Sequence, residues 1–228
     1  MLASSLSAAL LRAAPPAPGP GLQVDIAAPA DTARLAWQAQ GSYAVAVAYD
    51  GKSTKYGEIP PNDVLVSAAF IPDTDAPSAR RARPLPQALV DITQSNCTGC
   101  HDFNANSGGP SFAAIGKRYT GQAAAISTLA AHIRNGSRGA WGAGSMPPHP
   151  DLTPAQATAI ASWIVVHAAD PAVHYYAGAK GSFRMIAPAA PGQRAGMVLN
   201  AYYTGPLKAG ATRDAAGHNL VIVRGTGS

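Results

Sequence analysis

Charge is scarce in this chain of 228 residues: 13% are Asp, Glu, Lys or Arg, about half the ~25% of an ordinary soluble domain. Broad solvated charge faces are excluded on that count. Two cysteines are too few for a disulfide scaffold, which needs Cys above ~8–10%. No run approaches the ~18 consecutive apolar residues of a membrane-crossing helix. Lys and Arg outnumber Asp and Glu by 17 to 12, yet the bases are dispersed apart from Arg80, Arg81 and Arg83. Without a basic helix or an aromatic-interleaved basic stripe, no nucleic-acid partner is expected.

Glycine and proline are abundant instead. They number 23 and 20, close to a fifth of the chain against a combined average of about 12%, which excludes long helical arrays and coiled coils. Residues 1–22 read as a disordered or targeting segment. Their apolar start lacks a basic flank, and the Pro/Gly-rich stretch 13–22 cannot hold regular structure. In 42–50, Tyr43, Val45, Val47 and Tyr49 alternate with smaller residues, the period-2 signature of a strand, and Asp50-Gly51 signals a tight turn. With a further extended run at 64–71, residues 23–72 predict a small β module that leans on a neighbour, because about 50 residues bury only a small core.

Residues 73–86 read as a polar, proline-flanked linker. The period then becomes helical. Leu89, Ile92 and Thr93 share one face, as do Ile126, Leu129, Ala130 and Ile133, the latter closed by Asn135-Gly136. Thr153-Pro154 is a helix start, with Ile160, Trp163, Ile164 and His167 as its expected buried face. From 175 to 228 the pattern returns to strands, at 183–186, 197–203 and 220–224.

Chemistry concentrates in Cys97-Thr98-Gly99-Cys100-His101. Cysteines at i and i+3 lie on one side of a helical turn, where each thiol can add to one vinyl group of a haem, and the adjacent histidine then faces the iron. A redox dithiol would want a βαβ context, and a structural zinc site wants four ligands. A chance match to a short motif is the third alternative. A haem with one His ligand takes Met as its usual partner in electron-transfer cytochromes. Of Met1, Met146, Met185 and Met197, only Met146 lies in the helical stretch, in a Gly/Pro loop rather than on an apolar face where gap-filling would be expected. Its following prolines keep that loop out of helix.

Residues 87–169 resemble a class I cytochrome c of the small bacterial c551/c552 type. The likeness rests on the haem motif, Gly109-Pro110-Ser111-Phe112, Gly116-Lys117-Arg118-Tyr119, Ile133-Arg134-Asn135-Gly136-Ser137, Trp141-Gly142, Ser145-Met146-Pro147-Pro148 and the closing helix with Trp163. The resemblance implies one covalent haem c with its iron. Cys97 and Cys100 would be the thioether links, and His101 and Met146 the axial ligands. The Pro110 carbonyl would hold the ring of His101, and Trp141 would donate to a propionate. His132 stands where the family usually has Arg, as a further propionate partner, which would make the potential pH-dependent. His149, His167, His174 and His218 match nothing and read as surface or packing residues.

The flanks, 42–66 and 181–224, are similar to the β segments around the cytochrome of multidomain quinoprotein sugar dehydrogenases. The fold class that follows is multi-part α+β: an all-α cytochrome domain flanked by small β segments packing together as an Ig-like or sandwich unit. The resemblance implies an electron carrier rather than an enzyme, at the periplasmic face of the membrane or in the periplasm. Its donor would be a redox protein such as a quinoprotein dehydrogenase and its acceptor respiratory, with the basic linker letting the haem domain swing between them. The alternative is a haem-containing subunit or fragment of a sugar dehydrogenase whose β module binds carbohydrate or a partner. In that case Tyr175-Tyr176 and Tyr202-Tyr203 would each present one ring outward.

Overall fold

The computed structural model describes residues 21–81, 83–187, 190–211, 213 and 219–227. The expected targeting segment lies outside them except for Gly21 and Leu22, and His218 lies outside as well. Leu22, just before the module expected from residue 23, is packed into a β core.

The chain opens with β1 (Gln23–Ala28), β2 (Ala33–Ala36), β3 (Gln40–Tyr49), β4 (Lys52–Ser53) and β5 (Val64–Ile71). Helices follow: α1 (Gln87–Gln94), α2 (Phe112–Tyr119) and α3 (Ala125–Asn135). A two-residue ladder of β6 (Ser137–Arg138) with β7 (Ser145–Met146) separates these from α4 (Pro154–His167). Four more strands complete the described residues: β8 (Val173–Ala177), β9 (Lys180–Arg184), β10 (Gly196–Tyr203) and β11 (Leu220–Thr226).

The strands form two larger sheets, one of β1, β3, β4 and β9, the other in the order β2-β11-β10-β5-β8. In β3, Tyr43, Val45, Val47 and Tyr49 are buried as the alternation predicts, and they meet Val64, Val66, Met197 and Leu199 of the second sheet in one core. Asp50 and Gly51, both at positive φ (53° and 75°), make the turn between β3 and β4. β1, β2 and β8 escaped the sequence reading. The parallel pairing of β2 with β11 joins segments far apart in the chain, which no local pattern reports.

The second sheet buries its other face too. Val198, Ile222, Ala69 and Ile71 pack against Ala79. Leu65, fully buried, joins the core of the helices together with Tyr175, Ala177 and Tyr202. β5 and β10 therefore read as near-continuous apolar runs rather than alternating ones, the pattern of strands covered on both sides. This corrects the expectation of outward tyrosine platforms. Tyr176 packs against the core between the sheets and Tyr203 lies within it, while Tyr175 and Tyr202 pack against the helices.

The segment expected to act as a swinging linker is fastened along the sheet. Arg80 pairs with Asp31 at 2.7 Å, Thr74 donates its N–H to the Arg194 carbonyl at 2.8 Å, and the Tyr202 hydroxyl donates to the Arg83 carbonyl at 3.2 Å. Among the helices, the expected start of α4 is present. Thr153 caps it with Gln156 in a reciprocal capping box, and Pro154 takes the first turn. Ile160, Trp163 and Ile164 are buried as expected, but His167 is exposed at the last turn.

Two measurements probe this architecture. Leu65→Ala should cost about 2–5 kcal/mol of unfolding free energy, because one side chain serves the joint between sheet and helices; a cost under about 1 kcal/mol in denaturant titration would mean the two are not packed as described. Asp31 gives the second. Burial pushes its carboxyl up, but the Arg80 guanidinium and the Ile222 N–H outweigh this and hold it below its ordinary value of 3.8. A depressed carboxylate stabilises the fold above its unfolded-state value, and that stability is lost as pH falls through the lower folded value. Acid unfolding of Asp31→Asn should accordingly start from a lower stability near pH 6 and fall less steeply below about pH 4 than wild type.

Candidate functional site

α1 ends at Ser95, and Asn96 adopts a left-handed backbone (φ 55°) that turns the chain into the short 3-10 turn Cys97–Gly99. Asparagine tolerates this region better than most residues. Cys97 is buried and Cys100 exposed. Burial pushes the Cys97 thiol up to about 11, so near pH 7 it stays a neutral thiol. Among the described residues no group of three or more His, Cys, Asp or Glu could hold a metal ion. The zinc alternative therefore has no ligand set.

His101 follows on the same turn, its N–H bonded to the Cys97 carbonyl at 3.0 Å. Its Nδ1 lies 2.6 Å from the Pro110 carbonyl. A carbonyl only accepts, so Nδ1 carries the proton and Nε2 keeps its lone pair free. The loop that returns Pro110 to the ring passes very close. A Cβ on Gly109 would stand 2.8 Å from a ring carbon of His101, so only glycine fits there. Ser111, just beyond, caps α2 through its hydroxyl, which accepts from the Ala114 N–H. Phe112 then lies with its ring centroid 5.5 Å from that of His101.

The opposite wall comes from the end of α3 and the loop after it. Gly136 (φ 78°) closes α3 as the sequence predicted, and a Cβ there would stand 2.8 Å from the Met146 carbonyl. The β6–β7 ladder pairs Ser137 with Met146. The loop between them is held from α2, where Arg118 donates to the Ala140 carbonyl at 2.8 Å and stacks over Trp141 at 4.6 Å. Trp141 is 40% exposed and so is not a core residue.

These walls enclose one cleft of about 1050 Å³, its open mouth included. Cys97, Cys100, His101, Pro110, His132, Trp141 and Met146, all the sequence-predicted site residues, line it together. Its floor is apolar, from Phe112, Ile115, Leu129, Ile133, Ile160 and Ile164. A flat, largely apolar macrocycle with one polar edge fits such a space, whose lining offers the His101 imidazole, the Met146 thioether and the two cysteine thiols. Met185 and Met197 are fully buried in the β core and Met146 alone of the described methionines lines the cleft. Sequence reading missed Arg118 as the brace of Trp141 and the close-approach roles of Gly109 and Gly136. The Gly-Pro and Asn-Gly pairs carried a turn signal for both glycines, whereas nothing local marks Arg118.

A model of the cytochrome c family matches residues 90–167. Cytochrome c-552 of Hydrogenobacter thermophilus is 40% identical over 72 residues, covering 32% of this chain and 72% of that protein. Cytochrome c-551 of Azotobacter vinelandii is 42% identical over 71 residues, covering 31% of this chain and 85% of that protein. The crystal structure of Nitrosomonas europaea cytochrome c552 aligns at 35% identity over 32% of this chain and 91% of that one, with a TM-score of 0.32. The family match falls on the helical stretch around the cleft and leaves the two larger β sheets outside. With relatives of this identity matched over most of their own length, the chain belongs to the cytochrome c family as a class I c-type cytochrome, whose covalently bound haem and its iron serve electron transfer.

Proposed function

We propose that the chain carries single electrons through one haem joined by thioether bonds to Cys97 and Cys100, with His101 and Met146 as axial ligands. The observation that carries this reading is the convergence of all four side chains on one apolar cleft. When bound, the haem supplies reversible one-electron exchange at its iron. The protein's part is to hold both ligands at fixed distance and exclude water, so that little rearranges when the charge changes. The Pro110 carbonyl holds the His101 ring in the tautomer that presents Nε2 and raises its donor strength. The β6–β7 ladder and Gly136 do the equivalent for Met146. Trp141 and His132, at the cleft, are suited to the propionates.

The same reading takes residues 87–169 as the haem-binding unit, 73–86 as its connection, and 23–72 with 175–228 as one sandwich-type β unit. Haem attachment of this type takes place outside the bacterial cytoplasm, which favours a periplasmic site of action. Among the described residues no helix is long and apolar enough to cross a membrane. We take the donor to be a periplasmic dehydrogenase, a quinoprotein sugar dehydrogenase first among them, and the acceptor to be respiratory.

Three results test this. Haem in the wild-type chain should survive acid-acetone extraction and give a pyridine haemochrome spectrum, while the Cys97→Ala/Cys100→Ala double variant should lose it. Met146→Ala should lower the reduction potential, because a Met/His pair raises it, and should open the iron to cyanide or imidazole; Met185→Ala and Met197→Ala should lower stability and leave the potential in place. The reverse pattern would move the ligand elsewhere. Finally, stopped-flow mixing of the oxidised chain with a quinoprotein dehydrogenase and its sugar should show reduction that rises with dehydrogenase concentration. No reduction would assign the donor to another class of redox protein.

A further inference from the structure

The loop that carries the proximal histidine toward Pro110 is tied to the β unit. Residues 102–106 follow His101 directly. Phe103 is buried, with ring centroids 5.2 Å from Phe112, 6.1 Å from Trp163 and 5.7 Å from Tyr175 of β8. Asn104, next to it, donates its Nδ2 to the backbone carbonyl of Tyr175 at 2.7 Å and sets its Oδ1 3.1 Å from Nδ1 of His174. β8 is an edge strand of its sheet, so that carbonyl would otherwise face solvent. The Asp102 carboxylate accepts from the N–H groups of Asn104 and Ala105, while the Asp102 and Phe103 carbonyls accept from Phe112 and Ala113. The side chain of Asn106 accepts from the Ser111 N–H at 2.8 Å. Asn104 hydrogen-bonds this loop to the sheet beside the ring contact of Phe103 with Tyr175, and Pro110 stands at the loop's far end.

We propose that Asn104 is a positioning residue: by pinning the loop to β8 it sets the distance between the Pro110 carbonyl and His101, and through it the donor strength of the proximal ligand. This rests on the reading of His101 as an iron ligand. The β unit then acts on the redox centre through backbone geometry, although none of its residues lines the cleft. A helical domain of this type without the sheet has no partner for Asn104 and must set that distance from the loop alone.

The test compares two exposed substitutions in the full, haem-loaded chain. Asn104→Ala removes the pin. Gln94→Ala removes another contact between helices and sheet, from the Gln94 amide to Asp63 at 2.9 Å, at a distance in sequence from the loop. Exchange of the His101 Nδ1–H with solvent is followed by NMR in the reduced state, the reduction potential by titration, and stability by denaturant. Asn104→Ala should speed that exchange about threefold or more, as loss of one ordinary hydrogen bond allows, and raise the potential, since a weaker imidazole donor stabilises the ferric state less. Gln94→Ala should lower stability alone. Equal exchange and potential in Asn104→Ala and wild type, or equal effects of both substitutions on them, would overturn the proposal. Absence of paramagnetically shifted His101 ring signals in the oxidised wild type would overturn it together with the ligand assignment, which separates the two failures.

Discussion

β5 buries both of its faces, and the rest of the molecule depends on that. Val64 and Val66 point into the core between the sheets, while Leu65, one residue between them, points into the core of the helices. Neither core can be opened from the other without exposing one side of this strand to water. For an apolar side chain that exposure is worth roughly 1.5–3 kcal/mol each, and Tyr175, Tyr202 and Ala177 share the joint. Burial of the Tyr175 ring pushes its hydroxyl up to about 12. The picture of a helical domain on a swinging tether gives way to one of helices packed against the second sheet through Leu65, Tyr175 and Tyr202.

The residues that line the cleft were legible in the sequence because their signals are local. Cys97, Cys100 and His101 form one turn, and Met146 stood out in the sequence by its Gly/Pro loop, although in the fold it also packs against the helical core. Helix ends were legible for the same reason: Thr153-Pro154 and Asn135-Gly136 are short-range signals with a backbone mechanism. His167 was misplaced because periodicity extends a stripe to the last turn, whereas the covering elements stop earlier. The strand in 42–50 was visible through its alternation, since only one of its faces is covered. β8 was not, because Tyr175 and Tyr176 are packed on opposite sides and leave no polar face to alternate with.

What lay beyond the sequence is the contact between segments far apart. The pairing of β2 with β11, the stacking of Arg118 on Trp141 and the bond from Asn104 to Tyr175 each join residues with no shared local pattern. The tyrosine doublets show how this misleads. Alternation correctly splits each pair between two faces, but whether a face meets solvent or a helix is decided by the tertiary fold, and here both faces are covered.

The entry and exit of the helical stretch are neighbours: Ala69 pairs with Val173 across β5 and β8, and Phe70 donates its N–H to the Ala172 carbonyl at 2.8 Å. A hundred residues or so thus leave and re-enter the sheet at adjacent rungs of one antiparallel ladder, as a two-residue turn would. In this sense the sheets are a host and the cytochrome a guest accommodated within a hairpin. The entropy of closing so long an excursion sets little limit on its length, since a larger loop adds only about 0.6 kcal/mol per doubling. What the sheet presents to whatever lies within that hairpin is an apolar face of Leu65, Tyr175 and Tyr202, against which the helical core here sets its own apolar residues.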